Sequence, residues 1–130
     1  MQIYYFSRTG RSKAIADQIA SRYHTTARKI DDHKNWNGKL NYMKAGAMAL
    51  SGKTIPADYI EPDMDDKIVV VFPLWAGTMP PGVRTFAEKV GKEKITAVIT
   101  SLGSTIKQRD GFKKIIDLVG TEITAPDVLE

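Results

Sequence analysis

Cysteine is absent from the 130-residue chain, and histidine occurs only twice. Without thiols there are no disulfides, no thiolate metal sites and no cysteine nucleophile. His24 and His33 have no partners at metal-ligand spacing, so both read as surface residues. With so few histidines, no Ser-His-Asp arrangement can be argued. Long apolar runs are missing too, and none approaches the roughly 18 residues of a membrane span. No basic stretch followed by an apolar one opens the chain. This speaks against a secretory leader and makes the cytoplasm the default location. Any redox chemistry would need a bound cofactor.

What is present fits one domain over residues 1–130. An apolar share of 42% against 26% charged is the balance of a globular core under a charged surface. The net charge is +4 and the pI about 9.3, which favours an anionic ligand or partner. Lys and Arg are spread along the chain rather than clustered, so a nucleic-acid footprint is not indicated. The acidic run Glu61, Asp63, Asp65 and Asp66 lacks the glycine and closing glutamate of a calcium loop and reads as solvated. There are no repeats or linkers. The closing Leu129–Glu130 reads equally as native or as a cloning remnant.

The periodicity alternates. "QIYYF" (2–6) reads as a buried strand, followed by a helix with Ile15, Ala16, Ile19, Ala20 and Tyr23 on one face. "TTARKI" (25–30) is a weak, polar strand. Leu40, Met43, Ala47 and Leu50 then repeat at helical spacing, with Gly52 as a stop. Residues 53–66 read as a loop. "IVVVF" (68–72) is apolar without alternation, which predicts burial on both faces. A helix carrying Val83, Phe86, Ala87 and Val90 follows, then a buried strand, "ITAVIT" (95–100). Phe112, Ile115, Ile116 and Val119 predict a last helix, and "TEIT" (121–124) a short final strand. Strands and helices in turn predict an α/β fold, a five-stranded parallel sheet with helices on both faces. In the order 2-1-3-4-5 the polar second and fifth strands become edges.

In such a sheet, ligands bind beyond the carboxyl ends of the strands, at the switch point between strands 1 and 3. Three loops meet there. "SRTGRS" (7–12) opens a helix, whose unpaired N–H groups and partial positive charge suit an anion. Alone it reads equally as a turn capped by Ser7 or Thr9. It is no P-loop, since no Gly-Lys-Ser/Thr follows, and no dinucleotide fingerprint. A phosphoacceptor domain would need an aspartate where the chain has Phe72 and Pro73. "PLWAGTMPPG" sets Trp75 past the strongest strand, where it reads either as a flat apolar face for a ligand or as core packing or a partner contact. "SLGST" (101–105) could turn backbone N–H groups towards a ring edge.

Taken together, the three loops resemble the flavodoxin-like FMN-binding family. "SRTGRS" matches its phosphate-loop pattern, "PLWAGTMPPGVRTFAEKV" its flavin-flanking segment, and "NYMKAGAMALSGK" a segment of short bacterial flavodoxin-like proteins. The resemblance implies non-covalent FMN. Ser7, Arg8, Thr9, Gly10, Arg11 and Ser12 would hold the phosphate. Leu74, Trp75, Ala76 and Gly77 would flank the isoalloxazine, and Ser101, Leu102, Gly103 and Ser104 would reach its pyrimidine end. It implies electron transfer or oxidoreduction, with a redox partner protein or a small quinone-like substrate. Three functions follow: an electron carrier, an FMN-dependent NAD(P)H:quinone-type reductase, or a non-enzymatic anion- or protein-binding module on the same fold. No clear fifth helix follows strand 5, so one sheet face is either less covered or covered by a second subunit in a homodimer.

Overall fold

The computed structural model describes residues 1–106 and 111–129. Their elements run β1 (Gln2–Tyr5), α1 (Arg11–Arg22), β2 (Ala27–Lys29), α2 (Lys39–Leu50), β3 (Ile68–Pro73), α3 (Pro81–Val90), β4 (Ile95–Ser101) and β5 (Lys114–Val119). The five strands form one sheet in the order β2-β1-β3-β4-β5, and every neighbouring pair is parallel. This is the doubly wound α/β arrangement the alternation predicts.

Strand side chains alternate between faces, and the core divides accordingly. Ile68, Val70 and Phe72 of β3 join Tyr4, Ala97 and Ile99 in one cluster, covered by Phe86 and Val83 of α3 and Ala45 and Ala49 of α2. Val69 and Val71 join Ile3 and Val98 on the opposite face, covered by Ile15, Ala16 and Ile19 of α1. All these β3 residues are buried, as their unbroken apolar run predicts.

Two expectations are corrected. Residues 114–119 are a strand, not part of a last helix. Ile115 packs into the first core and Ile116 into the second, so adjacent side chains point to opposite faces. A helix would bring them to neighbouring positions on one face. Pairing with β4, Ile115 opposite Ala97 and Ile116 opposite Val98, decides between two patterns that six residues leave open.

Residues 121–124 form no strand. Instead the segment 121–129 lies against α1, with Ile123, Ala125 and Val128 packed into the second core. The Arg22 guanidinium donates to the carbonyls of Pro126 (3.1 Å) and Ala125 (3.4 Å), and Lys67 Nζ donates to the carbonyl of Val128. This tail covers sheet surface where a further helix was missing.

The helix expected from Leu40 to Leu50 is α2, and it turns its large apolar stripe outward. Leu40, Met43 and Leu50 are 76%, 63% and 62% exposed, whereas Ala45 and Ala49 are buried. Small side chains let the helix backbone approach the layer beneath it, and the larger stripe is left outside.

Candidate functional site

At the carboxyl edge of the sheet, the three loops after β1, β3 and β4 enclose a cleft of about 380 Å³. That size is sufficient for a small organic ligand. Ser7, Arg8, Thr9, Arg11, Ser12, Leu74, Trp75, Ala76, Gly77, Ser101, Leu102, Gly103 and Ser104 all line it. Of the residues singled out from the sequence, only Gly10 is not part of the lining. Pro73 and Thr100 line it as well; the sequence places Pro73 in the second loop and Thr100 at the end of its strand, and neither is among the residues expected to hold a ligand. Thr100 carried a usable signal, since its hydroxyl stands at the carboxyl end of a central strand, the edge where ligands bind.

The α1 end of the cleft has the character of an anion site. Gly10 is the N-cap, at φ 97° and ψ −8°, and no side chain caps the helix. A Cβ there would meet nothing within 4 Å, so glycine is required for its left-handed backbone and not for lack of room. Ser7 Oγ accepts a hydrogen bond from Gly10 N–H at 3.0 Å, which folds the loop back on itself. The first turn of α1 holds no acidic residue of its own to offset the positive end of the helix dipole. Ser12, although it lines the cleft, is 1% exposed, and its hydroxyl pairs with that of Thr100 at 2.9 Å. Arg11 donates to the carbonyl of Gly120, just past β5. Its guanidinium is therefore tethered across the sheet edge while still lining the cleft.

The middle wall is a tight hairpin. Trp75 N–H donates to the Thr78 carbonyl at 2.9 Å, and Thr78 N–H to the Trp75 carbonyl at 3.0 Å. The two residues between, Ala76 and Gly77, have φ values of 50° and 81°. Positive φ at both central positions is the signature of a type I′ turn. Glycine adopts it readily, but alanine is strained there. For Trp75, core packing is the reading the geometry favours. It is 5% exposed, with its ring edge-on to Phe6 at 5.3 Å and to Trp36 at 5.2 Å. Most of its indole is thus committed to the core and is no free stacking face.

The third wall, 101–104, contributes a Ser101 hydroxyl that donates to the Ser104 carbonyl within the loop. Leu102 is 69% exposed at the rim. Among the described residues, no aromatic side chain lines this side.

A smaller crevice of about 110 Å³ adjoins the cleft and shares Ser7 and Arg8 with it. Behind it, buried Asp32 accepts from Trp36 Nε1 at 2.7 Å and from Lys34 N–H at 3.0 Å, which fixes the ring that backs Trp75. His33 lies outside, with Nε2 2.6 Å from Asp58 Oδ2 and Nδ1 3.5 Å from Asp31 Oδ2. The hydrogen bond to Asp58, then the charge of Asp31, raises its pKa above the ordinary histidine value. Among the described residues, no cluster of three or more His, Asp or Glu could hold a metal, and no helix is long and apolar enough to cross a membrane.

This sheet order, with a ligand-sized cleft at its switch point, defines the flavodoxin-like fold. Two solved structures share it. One is a flavoprotein in complex with FMN from Lactobacillus acidophilus, 16% identical, with a TM-score of 0.67 over 91% of this chain and 90% of that one. The other, from Bacteroides uniformis and described as a flavoprotein, is 22% identical, with a TM-score of 0.73 over 93% of this chain and 90% of that one. At these identities the fold is what is shared. No protein-family model matches the sequence, nor does any curated protein sequence.

Proposed function

We propose that the cleft binds FMN without a covalent link and that the protein is a flavoprotein of oxidoreduction. The observation that carries this reading is the convergence of an uncapped, acid-free helix N-terminus with a hairpin and a small polar loop around one cleft. The phosphate would lie on residues 7–12. There the first N–H groups of α1 and the Thr9 hydroxyl are chemically suited to it, with Arg8 and Arg11 at the rim. The Leu74–Gly77 wall and the 101–104 loop would hold the ring system, with backbone groups reaching its polar edge. That one of the two neighbours carries FMN supports the same choice. Bound FMN supplies reversible one- or two-electron chemistry, while the protein binds, orients and shields it.

Within that class, the open third wall favours a reductase over a pure carrier. Residues 101–104 carry no aromatic side chain and Leu102 is exposed, which would leave one flavin face open to a second reactant. The balanced reaction moves a hydride from NAD(P)H and a proton from solvent to a quinone-like acceptor, giving NAD(P)⁺ and the hydroquinone. The basic charge of the chain suits anionic NAD(P)H. The test is a visible spectrum of the purified protein with added FMN, followed by NAD(P)H and a quinone. Bleaching and recovery over many turnovers support a reductase. Flavin uptake without turnover supports a carrier, and no uptake supports a non-enzymatic module.

A further inference from the structure

Arg84 is a buried cation that the proposed chemistry does not use. It sits on α3 and is 7% exposed. Its Nη2 donates to the carbonyl of Ala49 and to Thr78 Oγ1, both at 3.1 Å, and its Nη1 donates to the carbonyl of Lys53 at 3.1 Å. Among the described residues no carboxylate lies within ion-pair distance. Burial lowers its pKa, and the more distant charge of Glu88 only partly opposes this.

Each contact joins a different segment. Ala49 lies in the last turn of α2, where its carbonyl also accepts from Gly52 N–H at 3.3 Å and the dipole favours a cation. That turn has no basic residue of its own. Lys53 lies in the loop beyond. Thr78 closes the hairpin whose Ala76 and Gly77 edge lines the cleft. An unpaired guanidinium is costly to bury, and an apolar side chain of similar volume would fill the space at less cost. A fixed geometry among the three segments is what the charge and its fork of donors add.

We propose that Arg84 is a positioning residue for the cleft. Through Thr78 it holds the strained Trp75–Thr78 hairpin against the end of α2, so that the Ala76–Gly77 edge is already in place when a ligand arrives. Its effect on ligand affinity rests on the FMN reading; its effect on the hairpin does not.

Thr78→Val is the decisive variant. It removes the hydroxyl that Arg84 reaches, keeps the side-chain shape, and leaves the two contacts at α2 and its following loop. Arg84→Met removes all three, and Arg84→Lys keeps the charge. Two measurements are made on the full chain: protection of the position-78 amide against hydrogen exchange without ligand, taken relative to the intrinsic rate of the residue there, and the FMN Kd. Thr78→Val is expected to speed exchange at Thr78 about tenfold relative to an α1 amide such as Ile19, and to weaken FMN about tenfold. Arg84→Met does the same and Arg84→Lys falls between. Unchanged Thr78 exchange in Thr78→Val overturns the proposal, even if Arg84→Met lowers Tm, because Arg84 would then serve α2 alone. If the wild-type protein takes up no FMN, the FMN reading fails, and the exchange measurement still decides the role of Arg84.

Discussion

Replacing Ala76 with glycine should make the protein more stable, against the usual effect of removing a side chain. Ala76 holds φ 50° between Trp75 and Gly77. A left-handed conformation costs an L-residue with a Cβ about 1–2 kcal/mol. Glycine escapes that cost but has more freedom to lose on folding, about 0.5–1 kcal/mol. The difference leaves a gain of about 0.5–1 kcal/mol. The cross-hairpin hydrogen bonds involve only backbone atoms of Trp75 and Thr78, so they survive the change. For a chain of 130 residues, that gain corresponds to a Tm about 2–4 °C higher. Differential scanning calorimetry of Ala76→Gly and Ala76→Val measures it, the β-branched valine being expected to lower Tm. An unchanged or lower Tm in Ala76→Gly, with Ala76→Val no worse than wild type, would refute the strain argument. Strain of this kind is often retained where a backbone must meet a ligand. Ala76→Gly is accordingly expected to bind FMN less tightly even as its Tm rises.

Other outcomes follow from single contacts. Ser12→Ala leaves the buried Thr100 hydroxyl without its partner at 2.9 Å and should cost about 1–2 kcal/mol in urea unfolding; adding Thr100→Val should cost less than the sum of the two single changes by about 1 kcal/mol. On α2, Leu40→Lys should alter stability by less than about 0.5 kcal/mol, whereas Ala49→Leu overpacks a fully buried position and should cost about 1–3 kcal/mol. The raised pKa of His33 gives a pH signature. Its contribution to stability is complete below the unfolded value of about 6.5 and is lost as pH rises through the folded value. The urea midpoint should therefore fall more between pH 5.5 and 8.5 in wild type than in His33→Gln, and equal slopes would remove His33 from the account.

The centre of the sheet was legible because β1, β3 and β4 are mostly apolar and buried while β2 is polar; the fifth strand was read from the wrong segment, since the edge strand Lys114–Val119 is itself largely apolar. Ile68–Phe72 could only be buried on both faces, and the polar Ala27–Lys29 could only be an edge. The cleft was legible for a topological reason, since a parallel sheet brings the loops after β1, β3 and β4 to one edge whatever their sequence. What was not legible depended on tertiary partners. Ile115 and Ile116 are compatible with a helix until β4 separates them onto opposite faces. Leu40, Met43 and Leu50 form a sound helical stripe, but close approach selected the alanines instead. The indole of Trp75 was lost to Phe6 and Trp36, which are distant in sequence. The tether of Arg11 to Gly120 spans more than a hundred residues, and no local pattern announces it.

The central claim is that residues 7–12 hold a phosphate in the cleft. Comparing FMN with riboflavin, which carries the same ring and ribityl chain without the phosphate, tests it most directly. Two or more charge-assisted hydrogen bonds at about 1.5–3 kcal/mol each should make FMN bind at least about 100-fold tighter in isothermal titration. Gly10→Ala, strained at φ 97°, should erode that preference. Equal affinity for the two flavins, or no affinity for either, would contradict the account.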